Sequence, residues 1–481
     1  MLGGDTAKAI DDNSLTPVPA DERKSGIYLS WLPAGVATSL LQLTIAGDIT
    51  ALVGSQWGLL AGAIVGSLVM ILGWLFCNIA YKEGLSSTVL PRFYGLGLRG
   101  SALSSAAFGI MIIALLASEN VLLYKGTLFA FHWQDTVGLR ILIYGVLTVA
   151  WVVLSTFGIK LVTRTSSALV VVFMCLLAYM VFHIYHGSSV SLGDAFTQAN
   201  TVLTGSGSSR FVTVMGILGG QGGALILVNA DYTRYARSRR SVGAVSLSGV
   251  IMLDIVGIAL GILVLTGGNP LVAKYLILHG SATAANASAQ ASILAAQNTG
   301  AYFVILSGGV GFALMYVAQT KVQVLNTYSG SLALSNLCYV LTGRHPNRLA
   351  MIVLSNVICL VMIAANVFGK LSGVLNVLGI VVMGFIALAI ADFYIVSRSR
   401  PRDTSAEVES VNWAGVLTLV VASAVAYTLY RTDVFQYGFV ASAVLVVLAY
   451  PLVRLTLLKP GAAARVMAAP EQQPAAAKAM P

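Results

Sequence analysis

About twelve apolar stretches run through this chain of 481 residues, each long enough to cross roughly 30 Å of hydrocarbon as a helix. They fall near 29–52, 57–80, 101–124, 139–158, 167–186, 211–232, 246–267, 301–336, 348–368, 371–396, 412–430 and 434–455. Charged residues make up 10% of the chain and hydrophobic ones 57%, too few charges to cover a soluble domain of this size. The fold class that follows is an all-α polytopic membrane protein. The polar connections are short, so no soluble domain is expected between spans.

A net charge of +10 invites a nucleic-acid reading, which the placement of the charge opposes. With the N-terminus inside, the inner connections hold Lys82, the pair Arg92 and Arg99, the pair Lys160 and Arg164, Arg234 with Arg237, Arg239 and Arg240, then Arg344, Arg348 and Arg398 to Arg402. The outer connections hold scattered single charges: Lys125, Arg140, Arg210, Lys274, Lys370 and Arg431. This positive-inside asymmetry places both termini in the cytoplasm of a cell (inner) membrane protein. Cys77, Cys175, Cys338 and Cys359 are scattered without CxxC spacing, so neither a metal nor a disulfide framework is expected. The first thirty residues have no apolar core of a signal peptide, and the Ala/Pro-rich tail reads as disordered.

Two spans carry interruptions. Gly219-Gly220-Gln221-Gly222-Gly223 puts four glycines around one amide, each costing roughly 1 kcal/mol against alanine in a helix interior. Either the sixth span unwinds there and turns free backbone groups toward a cavity, or the small residues serve close helix packing. The first span holds Gln42, Thr44, Gly47 and Asp48 near its middle. Interruptions in spans one and six suggest two inverted five-helix halves with a midplane site between them. The expected layout is a cytoplasmic N-terminal tail (1–28), a first repeat (29–186), a second repeat (211–396), two added spans (412–455) and a disordered cytoplasmic tail (457–481). The outer connection at 268–300 is expected to form an interfacial helix.

The ionisable residues at membrane depth are Asp48, Glu119, Asp254 and Lys321. Lys321 lies inside a long apolar run, where a charge costs roughly 2.5–3.5 kcal/mol on insertion scales. Apolar sequence on both sides leaves little scope for snorkelling to an interface. Glu119 belongs either to a binding site or to the outer interface, and Asp254 is expected to be structural, paired with the basic inner loop. Gln319, Gln323, Asn326 and Gly330 share one face of span eight. Amides there suit a planar ligand with mixed donor and acceptor edges, or else hydrogen bonds between helices. The chain carries no HExxH, GxSxG or Walker loop, and Gly95, Gly97 and Gly100 form a GxGxxG that follows a membrane helix rather than a strand. An enzyme is therefore not expected, and no cofactor is.

Three segments resemble the nucleobase:cation symporter-1 family of cytosine, purine and hydantoin transporters, within a likeness running from about Trp31 to Arg398. They are Gly84-Leu85-Ser86-Ser87-Thr88-Val89-Leu90-Pro91-Arg92-Phe93, Asn229-Ala230-Asp231-Tyr232-Thr233-Arg234-Tyr235 and Ala391-Asp392-Phe393-Tyr394. The resemblance implies twelve spans with a five-plus-five inverted repeat and alternating access around a nucleobase-like heterocycle. It implies a substrate held between spans three and six, with amides of spans one and eight on its edges. The substrate-binding set it suggests is Gln42, Glu119, Gln221, Gly222, Gln323 and Asn326.

Matched by position, the family's span-three tryptophan falls on Leu115 and its span-six aromatic on Gly222, so both stacking faces are lost. The span-eight hydroxyl pair that holds sodium falls on Lys321-Val322, which puts an ammonium where the cation would lie. A desolvated amine there can load and release a proton. The implied coupling set is Lys321 with Asp48 or Glu119 as partner. The alternative is a permanently charged lysine in a sodium-independent uniporter or exchanger for a larger or cationic vitamin-like heterocycle. A non-transporting receptor or scaffold is the distant alternative. Expected partners are a small substrate, protons and the lipid bilayer, with no nucleic acid, and a monomer can do this work.

Overall fold

Backbone N–H and C=O groups inside hydrocarbon must bond to one another, and the apolar stretches meet that demand as helices. The computed structural model describes residues 13–156, 158–188, 190–201, 205–398, 407–461 and 464–467. Among them, ten helices are each long and apolar enough to cross a membrane. A bent pair, Gly26–Val36 with Leu40–Val53, makes one further crossing, and Arg348–Ala364 is a shorter apolar helix in the ninth position. Together they fall on the twelve stretches read from the sequence. The fold class is the expected one: an all-α polytopic membrane protein.

Span three (Gly97–Ala130) and span eight (Thr299–Thr342) pack against each other along the middle of the bundle. Span six (Gly207–Thr233) lies between span two (Ser55–Glu83) and span ten (Phe368–Val396). The last two spans, Trp413–Arg431 and Gly438–Leu457, stack on span ten at the edge. Large apolar side chains such as Ile141, Val146, Phe182, Val421 and Leu448 face outward from spans four, five, eleven and twelve, as a lipid-facing surface requires.

The breaks do not all fall where the sequence suggested. Span one bends by 60° at Thr38 and Ser39, one turn before the polar residues expected to interrupt it. Ser39 leaves the helical region and its hydroxyl accepts from the Gln42 N–H at 3.1 Å, a helix N-cap that starts the second half. Gln42, Thr44, Gly47 and Asp48 therefore lie within a continuous helix.

Span six is also continuous, so the unwinding expected at its glycine cluster does not occur. The glycines serve close packing instead. A side chain at Gly219 would strike the Phe439 ring, at Gly220 the Leu375 carbonyl, at Gly222 the Val69 side chain, and at Gly223 Val382. Span seven (Arg239–Leu278) contains two π-helical segments, Ile251–Gly257 and Ile262–Thr266. In the outer connection, Ala287–Gln297 forms a helix that buries Ala287, Ala291 and Ala295 against its neighbours.

The three motif segments tie helix ends together. The Asp231 carboxylate accepts the Ser87 N–H at 2.8 Å, joining two of them directly. Arg234 donates to the Asn13 carbonyl at 2.6 Å and to the Tyr328 hydroxyl at 3.0 Å, and Asp392 accepts from the Tyr450 hydroxyl at 2.9 Å. In the tail expected to be disordered, Arg465–Met467 pairs antiparallel with Glu407–Glu409, and Arg454 meets Glu409 at 3.0 Å. Residues 1–12 and 468–481 of the two expected tails lie outside the described residues.

Candidate functional site

A helix broken in mid-membrane exposes two kinds of backbone end: carbonyls with partial negative charge on one side, N–H groups with partial positive charge on the other. In span one each end meets a side chain of the opposite sign. The Lys321 ammonium donates to the carbonyls of Gly35 at 2.9 Å and Thr38 at 2.5 Å, where the first half-helix ends. It also lies 4.6 Å from the centroid of the Phe173 ring on span five. Lys321 is completely buried, so it does not snorkel.

At the start of the second half-helix, Glu119 of span three accepts the Leu41 N–H at 3.4 Å. Gln319 completes the contact: its carbonyl oxygen accepts the Leu40 N–H at 3.1 Å, and its amide donates to the Glu119 carbonyl at 3.1 Å. Glu119 is 2% exposed, which places it at the site rather than at an outer interface.

A small cavity of about 40 Å³ opens beside the break. Span one contributes Val36, Ser39, Leu41 and Gln42; span three Ile112, Leu115 and Glu119; span six Gln221, Ala224, Leu225 and Val228. Leu253 of span seven and Val322 with Asn326 of span eight close it. Its walls are aliphatic, and no aromatic ring lines it among the described residues. The polar edge is wired together: Gln221 donates to the Gln42 side-chain oxygen at 2.8 Å, and Gln42 donates to the Leu253 carbonyl at 3.4 Å. The Gln221 side-chain oxygen is buried without a hydrogen-bond partner, an acceptor left for a ligand.

Of the six residues expected to bind substrate, Gln42, Glu119, Gln221 and Asn326 line this cavity. Gly222 faces Val69 of span two instead. Gln323 turns toward span three, donating to the Leu116 carbonyl at 3.0 Å and to the Asn120 side chain at 2.7 Å, and it accepts from Asn326 at 3.4 Å. It positions Asn326 rather than lining the cavity. Asp48 lines a separate cavity of about 190 Å³ with Thr44, Thr50, Asn269, Ser288 and Ser292, and no hydrogen bond or ion pair joins it to Lys321. Asp254 is not paired with the basic inner loop; its carboxyl has no hydrogen-bond partner.

Reading the sequence passed over Gly35, Thr38, Ser39 and Phe173. Thr38-Ser39 ahead of an apolar run is a recognisable N-cap signal. The carbonyls of Gly35 and Thr38 leave no trace in the sequence, and Phe173 is one aromatic among many. No cluster of three His, Cys, Asp or Glu side chains stands in metal-binding geometry among the described residues.

A broken helix beside a buried mid-membrane cavity, within this span arrangement, defines a helical membrane protein with the fold of secondary symporters. In particular, the chain superposes on the inward-facing conformation of Mhp1 with a TM-score of 0.70 and 18% identity, covering 94% of this chain and 96% of that one. A closed conformation of Mhp1, a nucleobase-cation-symport-1 family transporter with bromovinylhydantoin bound, gives 0.69 and 18%, over 93% and 97%. A Na+-coupled sialic acid symporter in a substrate-bound outward-open state gives 0.64 and 12%, over 95% and 94%. These neighbours are transporters, not enzymes. No family model and no curated protein matches the chain in sequence.

Proposed function

We propose that this protein is a secondary transporter of the nucleobase:cation symporter-1 type, importing a nucleobase-like heterocycle across the cell membrane with both termini in the cytoplasm. Lys321 stands in place of sodium, and protons drive accumulation. The observation that carries this reading is the Lys321 ammonium on the Gly35 and Thr38 carbonyls, a cation held by span-one oxygens where a metal cation would otherwise need hard oxygen ligands. Loss of the proton from Lys321 weakens its hold on the first half-helix, which supplies a way to link a proton to movement of span one.

The heterocycle lies between aliphatic walls, Leu115 and Ile112 on one side and Leu225 and Val228 on the other. Its N–H edge donates to Glu119 and to the unpartnered Gln221 oxygen, and Asn326 meets another edge. A cationic heterocycle is the second reading, favoured by the Glu119 carboxylate in a cavity lined by no basic residue.

The test is uptake into liposomes of labelled purines, cytosine, hydantoins, allantoin and vitamin-like cations under a proton gradient, a sodium gradient or neither. Accumulation with protons and indifference to sodium is expected. Accumulation driven by sodium alone would overturn the role given to Lys321, and failure of the whole panel in both uptake and exchange would overturn the substrate class.

A further inference from the structure

Asp254, like Asp48, is an ionisable group at membrane depth that the proposed mechanism leaves unused. It lies in the π-helical segment Ile251–Gly257 of span seven and is completely buried. Neither carboxyl oxygen has a hydrogen-bond partner. Span two makes room for it with two glycines. A Cβ on Gly66 would lie 3.1 Å from the Asp254 Cβ and 3.3 Å from its Oδ2, and one on Gly62 would strike the Asp254 carbonyl. The residue before it, Leu253, lines the central cavity and accepts the Gln42 amide through its carbonyl. Asp254 is therefore one peptide unit behind the cavity wall, in a π segment, a helix irregularity that recurs at functional sites.

A carboxylate buried at this depth with no protein donor or counter-ion is strongly disfavoured. The ionisable groups on the elements packed against this segment are Tyr28 and Asp48 on span one, Cys77, Tyr81, Lys82 and Glu83 toward the far end of span two, and Arg239 and Arg240 at the start of span seven. None of them hydrogen-bonds to Asp254, which is enclosed by the packing of spans one, two and seven.

We propose that Asp254 is a proton-binding site separate from Lys321, loaded in this conformation and emptied when spans one and seven move away from the Gly62–Gly66 surface of span two. The step is a plain proton transfer: the O–H bond formed with a proton from water on one side breaks to water on the other, leaving a carboxylate that hydration stabilises. The Gln42–Leu253 hydrogen bond links that movement to the cavity, so ligand occupancy and proton release share one element.

This goes beyond the proposed substrate and coupling through Lys321, and its first test needs no transport. Infrared difference spectra of purified protein in lipid, wild type minus Asp254→Asn, are recorded across a pH series. A protonated-carboxyl band assigned to Asp254 at neutral pH is expected; its absence there would mean an ionised group and overturn the proposal. The second test counts protons per substrate in liposomes containing a pH dye. Asp254→Asn should retain substrate exchange and lose one proton from the stoichiometry, whereas Asp254→Glu, which keeps the acid, should retain it. Equal stoichiometry in wild type and both variants would overturn the proposal. Should wild type carry none of the heterocycles, the substrate reading fails while the infrared result still decides Asp254.

Discussion

Replacing Lys321 with methionine keeps a long unbranched side chain, one heavy atom shorter, and removes its charge and donors. In the wild type the ammonium satisfies two buried carbonyls, Gly35 O at 2.9 Å and Thr38 O at 2.5 Å. The Thr38 hydroxyl still reaches the Gly35 carbonyl at 3.5 Å, so the acceptor left unpaired is the Thr38 carbonyl, at a cost of roughly 1–3 kcal/mol. Methionine returns some of this by packing against Phe173 and by needing no ion desolvation. A net loss of roughly 1–2 kcal/mol is expected in the contact between the first half-helix and span eight. At about 1.4 kcal/mol per tenfold, that shifts the equilibrium between the docked and displaced half-helix by roughly tenfold.

The assays are the melting midpoint in detergent and liposome transport in two modes. Lys321→Met should lower the midpoint, abolish accumulation under a proton gradient and leave some exchange between equal substrate pools. A variant that melts and accumulates like wild type would refute the claim that this ammonium pins the half-helix.

Three further outcomes test the packing around the site. Ser39→Ala removes the N-cap of Leu40–Val53 and should cost about 1 kcal/mol, read as a lower melting midpoint that Ser39→Asp partly restores. Gly220→Ala would place a Cβ 2.5 Å from the Leu375 carbonyl, so spans six and ten must separate; a loss of roughly 1–3 kcal/mol is expected, while wild-type stability would refute the close-packing role of the glycines. In the connection before span four, the Asp135 carboxyl is held down at about 2, against an ordinary 3.8, by the Arg140 guanidinium bonded to it from the first turn of that span. Its contribution is present above pH 3.8 and fades as pH falls through about 2. Because both partners are solvent-exposed, Asp135→Asn should cost no more than about 1 kcal/mol at neutral pH, and less in high salt.

The residues that the sequence made legible were those whose presence is expensive. Lys321 and Glu119 stand out because a charge in an apolar run demands a partner, and both are found with backbone partners at the break in span one. The twelve stretches were legible because bilayer thickness fixes helix length. The glycine cluster misled because helix propensity measured in water assumes that an unwound backbone can bond to solvent. In a dry bundle that option is lost, and four positions without side chains become contact surfaces for Phe439, Leu375, Val69 and Val382. The break in span one was placed a turn late because Gln42 and Asp48 are more conspicuous than the small polar pair Thr38-Ser39 that makes it. Two of the three amides in the stripe on span eight, Gln319 and Gln323, serve to hold span three, and only tertiary contact could separate those two from Asn326.

The two ends of the broken helix face each other across Thr38 and Ser39, so the charges that serve them cannot be independent. Spans eight and three, which carry Lys321 and Glu119, are also packed along one another. If span one is held by both charges at once, removing either leaves the other buried without its balance, a loss of roughly 3–5 kcal/mol for a buried pair. Removing both leaves no stranded charge. The double variant Lys321→Met with Glu119→Gln should therefore be less destabilised than the sum of the two single variants, with a coupling of at least about 1 kcal/mol in a double-mutant cycle on melting midpoints. Additivity within about 0.5 kcal/mol would mean that the two half-helices are held separately. In that case a proton on Lys321 could not report to a substrate at Glu119 through span one, and the link between the gradient and the cavity would have to run through span seven.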